Sequence, residues 1–216
     1  MCVFAAPKMF KSIFAQQLGF CIATGSDWLG FQTQIGKVAY LQCEIPKVPF
    51  RDRVHKMFTM NPLTVPNGQY VFDTDMTFKL DRVRDMDRLR KSLDKLKPNV
   101  LILDPWYKIL TVEDNAAYNR TQDIMDNLIH DTGITIVVVH HDTVPPMDPK
   151  TGQPIIRFHP RGPRTVEGWF DSMIQITGDV MTDKRQLRFM SRHSHYLLNP
   201  ITVELDRNTL WATRLP

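Results

Sequence analysis

The sequence predicts an α/β protein built on a mostly parallel twisted sheet, flanked by helices and extended by antiparallel strands toward its C-terminus. Three observations predict it. Strand-like and helix-like apolar patterns alternate through much of the chain. Two stretches, "NVLILD" (99–104) and "GITIVVVHH" (133–141), are nearly all apolar, as central parallel strands covered on both faces must be. After residue 164 a short helix gives way to strand patterns near 173–178, 185–191, 200–205 and 208–213.

The elements follow in order. "CVFAA" (2–6) is a short apolar run, after which Ile13, Phe14, Leu18, Cys21 and Ile22 recur at helical spacing. "GKVAYLQCE" (36–44) reads as a buried strand, and Pro46 suits the first turn of the helix behind it. A short strand is expected at 69–72. Residues 80–96 form an amphipathic helix with Leu80, Val83, Met86, Leu89, Leu93 and Leu96 on one face. Residues 118–131 supply the crossover helix between the two apolar strands, and a polar, Pro-rich loop covers 142–164. No repeat or linker divides the chain, so one domain is expected over 1–216.

Composition narrows the class. With 43% apolar and 23% charged residues among 216, the chain can bury a core and is not a disordered segment. No apolar run reaches bilayer length and no signal-peptide pattern opens the chain, so no membrane partner is expected. Cys2, Cys21 and Cys43 are odd in number, widely spaced and set in apolar segments. Buried free thiols in a reducing cytoplasm are therefore expected. A net charge of +4 permits an anionic partner without demanding nucleic acid. The chain starts almost directly on an apolar strand, as a truncated or excised domain would.

Ligands of such sheets bind at the carboxyl ends of the strands. Behind the first strand, "VFAAPKMFKSIF" (3–14) has the layout of a phosphate-binding loop, G-x-x-x-x-G-K-[ST], with Ala5 and Phe10 where the glycines belong. Glycine accepts positive φ without strain, so these residues restrict the loop. Ala6, Pro7, Lys8, Met9, Phe10, Lys11 and Ser12 are its candidate cradle. Lys11 can reach the outer phosphates of a nucleotide, and the Ser12 hydroxyl can ligate Mg²⁺. Glu44, at the second strand's end, can take a proton from water attacking a γ-phosphate. Asp104 ends "LILDP" and can hold the Mg²⁺ shell, partly through water. His140 and His141 end the next strand, and alternation lets at most one of them face the cleft. Singly, each has an ordinary reading: a chance Lys-Ser, an exposed Glu, a turn-capping Asp, a core histidine. Together, at four strand ends in this order, they predict a nucleotide-phosphate site.

These residues resemble the RecA-fold ATPases, and within them the hexameric replicative helicases of the RepA and DnaB kind. The resemblance covers nearly the whole chain and is nearest to the RepA-like branch of plasmids, phages and prophages. "APKMFKS" is similar to family loops in which a bulky residue replaces the second glycine; Ala5 is a further departure. "KVAYLQCEIP…RDRV" looks like the family's second strand, acidic residue and following Arg, implying Glu44 as catalytic base. "VLILDPWYKI" resembles its Walker B, implying Asp104 as the Mg²⁺-associated acid, and "IVVVHHD" its His-His motif. "RGPRTVEGWFDSMIQI" resembles its Arg-Gly motif, with Pro163 replacing a small polar residue. "LRFMSRHS" is similar to the strand carrying Lys-x-Arg, whose Arg enters a neighbouring subunit's ATP site. Arg192 matches that Arg, while Met190 stands at the Lys.

The resemblance implies ATP and Mg²⁺ as cofactors and a homo-oligomeric ring, expected to be a hexamer, with ATP sites between subunits. It implies single-stranded DNA as partner and a bacterial, archaeal or phage-infected cytoplasm as home. The expected activity is that of a replicative helicase or motor core. The 142–164 loop is expected to be mobile and to meet nucleic acid through Lys150, Arg157, Arg161 and Arg164, with Phe158 available for stacking. The mixed-sign runs "RDRVHK" and "DRVRDMDRLRK" read as solvated helix faces. No separate primase-interaction or collar domain is visible, a stand-alone arrangement nearer the RepA-like and viral proteins. Two other readings stay open. One is a nucleotide-gated DNA-binding loader, recombinase-like protein or regulator with weak hydrolysis, suggested by the missing glycines and Met190. The other is a metalloenzyme using His140, His141, His193 and His195, which has no carboxylate or cysteine at ligand spacing beside the H-x-H.

Overall fold

The apolar run at the start of the chain forms a fully buried strand, β1 (Cys2–Ala5), midway across the sheet. The computed structural model describes residues 1–61, 64–143, 148–152, 158–193 and 198–216. Among these, β2 (Val38–Gln42), β3 (Tyr70–Thr74), β4 (Val100–Asp104), β5 (Thr135–His141) and β6 (Ser172–Thr177) run parallel to β1. β7 (Lys184–Ser191), β8 (Ile201–Asp206) and β9 (Trp211–Arg214) continue the sheet as an antiparallel meander. The order across it is β3-β2-β4-β5-β1-β6-β7-β8-β9. Helices α1 (Lys11–Thr24) and α2 (Lys47–Thr59) cover one face. The other face carries α3 (Val83–Leu96), α4 (Asn115–Thr132) and α5 (Arg164–Trp169). The α/β class, the parallel core and the antiparallel extension are as the sequence predicts.

Strand alternation sorts the core into two layers. Val3, Tyr40, Ile102 and Val139 face α1 and α2, whereas Phe4, Leu41, Leu103 and Val138 face the other three helices. Because both layers are full, β2, β4 and β5 are buried on both sides, which is why they read as continuous apolar runs. Helix α1 lies close on the sheet at Gly19, where a Cβ would stand 2.9 Å from the Tyr70 ring and 3.2 Å from Ile102. The Gln17 side chain accepts from the Ala212 N–H and donates to its carbonyl, at 3.0 and 2.8 Å, tying α1 to β9. The three cysteines are free and buried, as expected.

Four local expectations change. β2 ends at Gln42 rather than Glu44, because the Gln42 side chain accepts from the Glu44 N–H (2.8 Å) and bends the chain out of the ladder. Pro46 is the residue before α2, not part of its first turn. α3 begins at Val83, so Leu80 is buried ahead of the helix, and Val83 itself is 79% exposed. The apolar face of α3 thus reduces to Met86, Leu89 and Leu93. Between Asp104 and α4 the chain makes a short 3₁₀ turn at Trp106–Ile109, whose Trp106 is fully buried against Tyr118 and His140. No described helix is long and apolar enough to cross a membrane.

Candidate active site

The parallel strands deliver their carboxyl ends to one rim of the sheet, and a cleft of about 280 Å³ opens there. Lys11, Ser12, Glu44, Arg53, Asp104 and His141 line it. Thus four strand ends that are distant in sequence meet in space.

The loop from Ala6 to Phe10 turns without glycine. Lys8 and Phe10 both adopt φ 64°, the left-handed region, and Phe10 is the residue preceding α1. Ala5 stays within β1. Only the second substitution therefore sits where glycine's freedom matters, and Phe10 bears a cost of about 1–2 kcal/mol for that conformation. Left-handed turns of this sort curl backbone N–H groups into an anion-binding concavity at a helix start. Lys11 is buried and its Nζ donates to the Ala6 carbonyl at 2.9 Å, folded over the loop. Burial lowers its pKa, while the carboxylates of Asp104, Glu44 and Asp142 oppose that shift.

Asp104 is almost wholly buried, and its Oδ2 accepts from the Tyr40 hydroxyl and from Gln42 Nε2 (2.9 Å). Burial raises its pKa; Tyr40, the Ser12 side chain, Arg53 and Gln42 hold it down. Gln42 also accepts from the Glu44 N–H, so one side chain joins the acid of β4 to the turn bearing Glu44. Glu44 is exposed to the cleft and accepts from the Tyr107 hydroxyl at 2.7 Å, while the Tyr107 ring meets His141 edge-on at 4.8 Å. A desolvated carboxylate beside a serine hydroxyl, with cations nearby, is a donor set that fits Mg²⁺. Ser12 and Asp104 would hold the ion, directly or through water.

The two histidines part company, as alternation requires. His141 enters the cleft, and burial together with Lys11 lowers its pKa to about 4. His140 points to the opposite layer, fully buried, with Nε2 donating to the Arg161 carbonyl at 2.8 Å. The structure therefore places His140, an expected catalytic residue, outside the cleft. Burial pulls its pKa down to about 3. An unfolded histidine binds a proton below about pH 6.5 that folded His140 refuses until about pH 3. The unfolded state then carries more protons, so stability falls as pH drops through this window, by up to about 1.4 kcal/mol per pH unit. Urea melts at pH 7 and pH 5 should show this loss, and His140→Gln should lessen it, leaving the share of His141, whose pKa is lowered as well.

The other expected residues scatter. Arg192 is exposed near Asp171 (3.9 Å), at the opposite end of the sheet from Lys11. Arg164 shares a depression with Arg192. Arg161 pairs with Glu113 at 2.8 Å, and Lys150 is exposed. Arg157 and His195 lie outside the described residues, as does much of the 142–164 loop. Phe158, expected as a stacking group, is half-buried and packs edge-on against Phe4 at 5.2 Å, at the margin of the core. Among the described residues no three His, Cys, Asp or Glu side chains are grouped to hold a metal ion.

Sequence reasoning missed Tyr40, Gln42 and Tyr107. The first two share their strand parity with the end of β2, and a buried Asp104 demands donors of their kind. Arg53, inside a run read as a solvated helix face, lines the cleft.

The AAA domain model (AAA_25) matches residues 1–146. No curated protein matches the chain. Among solved structures, a KaiC-like protein of the hyperthermophilic archaeon Pyrococcus horikoshii OT3 is similar over all of this chain and 88% of its own, with TM-score 0.65 and 13% identity. The RadB recombinase is similar over all of this chain and 90% of its own, with TM-score 0.65 and 14% identity. At such identities the likeness concerns the fold, which is that of RecA-like ATPases.

Proposed function

The chain belongs to the AAA domain family, and on that premise we propose that it is a Mg-ATP-dependent ATPase that assembles into a ring and works on single-stranded DNA, as a helicase or motor core. The observation that carries the proposal is the meeting of Lys11, Ser12, Glu44, Asp104 and His141 in one cleft at the strand ends. Lys11 and the loop amides hold the phosphates. Mg²⁺, when bound, offsets the charge that builds on the phosphoryl oxygens. Glu44 accepts the proton of the attacking water as the new P–O bond forms, and ADP leaves in line. His141, neutral above about pH 4, can report on the γ-phosphate without adding charge. Arg192 cannot reach the cleft of its own chain, which favours a role in a neighbour's site and hence an oligomer.

A second reading is a DNA-binding protein gated by nucleotide, recombinase-like or loader-like, with weak hydrolysis. Met190 in place of a cation near Arg192 favours it. Phosphate release with and without single-stranded DNA, alongside the mass of the assembly in ATP, separates the two. DNA-stimulated turnover by a multimer supports the motor; tight ATP binding with negligible stimulated release supports the gated binder. A chain that binds no Mg-ATP overturns both.

A further inference from the structure

We infer that Arg185, at the start of β7, is the positioning residue of the phosphate loop: its guanidinium clamps the Phe10 ring and so holds a glycine-free loop in its left-handed turn. The inference rests on the phosphate-binding role proposed for that loop.

Phe10 occupies the position where a positive φ is required, and φ is 64° there. Something must offset the strain that a glycine would not have. The Phe10 ring is half-buried, and the Arg185 guanidinium carbon stands 4.4 Å from its centroid, with Arg207 farther off at 5.9 Å. Arg185 is 1% exposed, so this is a desolvated cation on an aromatic face, the setting in which such contacts are strongest.

The arginine is itself locked. Its Nη1 shares its two hydrogens among the carbonyls of Asp179 and Thr182 in the β6–β7 turn, at 2.9 and 2.8 Å, and of Lys184 at the start of β7, at 2.6 Å. Gly178 lets that turn close: at φ 149° a Cβ there would lie 2.9 Å from the Lys184 carbonyl oxygen. Nε and Nη2 are buried and have no hydrogen-bond partner among the described residues. A buried guanidinium with two unpaired nitrogens costs free energy unless something else stabilises the cation; the Asp183 and Asp179 carboxylates act on it through space, and the Phe10 ring lies against it. The bulky residue and the arginine thus answer each other's deficit. A side chain that is a liability in the loop alone becomes the handle by which a distant hairpin holds the loop.

The test is a double-mutant cycle read by calorimetry with Mg-ATP. Arg185→Met should weaken binding about tenfold in the parent chain and far less in the Phe10→Gly background, where no strained ring needs holding. Phe10→Leu, which keeps an apolar side chain but removes the aromatic face, should lose affinity like Arg185→Met and keeps the test open if that variant does not fold. Arg185→Lys, which keeps a cation over the ring, should recover part of the loss, and the loss should appear in KM rather than kcat. Equal losses in the parent and in the Phe10→Gly background overturn the inference. If the parent chain binds no Mg-ATP, the phosphate-binding reading fails by itself. Hydrogen exchange then judges the clamp: Arg185→Met should speed exchange of amides 8–12 in the parent, and unchanged exchange overturns it.

Discussion

Lys11→Ala should abolish ATP turnover, lowering phosphate release by at least about two orders of magnitude, on the scale of losing a preorganised charge at a phosphoryl group. The nearby ionisable groups make this residue hard to replace. Asp104, Glu44 and Asp142 all act on Lys11, so the cleft carries acidic charge before a triphosphate arrives. Without the ammonium, a nucleotide would meet those carboxylates with Lys8 and Arg53, among the described residues of the cleft wall, left to offset them. The variant should nevertheless fold. Lys11 gives up hydration on burial and makes one hydrogen bond, to the Ala6 carbonyl, and alanine suits the start of α1. Lost turnover with an undiminished melting temperature is the expected pair of results; undiminished turnover would place the chemistry elsewhere.

How far the sequence could be read follows from which residues depend on one another. β4 and β5 were legible because burial on both faces leaves a run of apolar residues that needs no partner to be recognised. Lys11, Glu44 and Asp104 were legible as strand-end residues, since that position is set by the local pattern. What lay between them was not. The Tyr40 and Gln42 bonds to Asp104 depend on the register of β2 against β4, which pairs Gln42 with Asp104. Local periodicity does not encode that register. The same reason hides the Phe10–Arg185 contact, whose members are far apart in sequence and lie on different elements. Phe158 shows the same dependence from the other side: local sequence presents an aromatic among basic residues, and only the fold brings Phe4 against it. Val83 fits a helical stripe, yet the helix begins there and its side chain stays in solvent.

Arg192→Ala should cost about 10³-fold or more in turnover, the range seen when an arginine finger is removed, while leaving Mg-ATP affinity within a few fold. Its place in the sheet explains both halves. Met190 is level with Met173, and Met173 with Cys2, so Arg192 projects beyond the beginning of β1, whereas the phosphate loop follows its end. The separation along the strands is roughly 20 Å, about six residues at 3.3 Å each. Arg192 is nearly half exposed and only loosely held by Asp171, so it is available to a second copy. Mixing variants tests this directly. Arg192→Ala subunits keep an intact loop, and Lys11→Ala subunits keep an intact arginine, so neither turns over ATP alone. In a mixed ring, the first kind's loop can face the second kind's Arg192 and form a complete site. Turnover should therefore reappear on mixing and peak near equal proportions. An arginine acting within its own chain would yield no recovery at any ratio, because every subunit would still lack one half of its site.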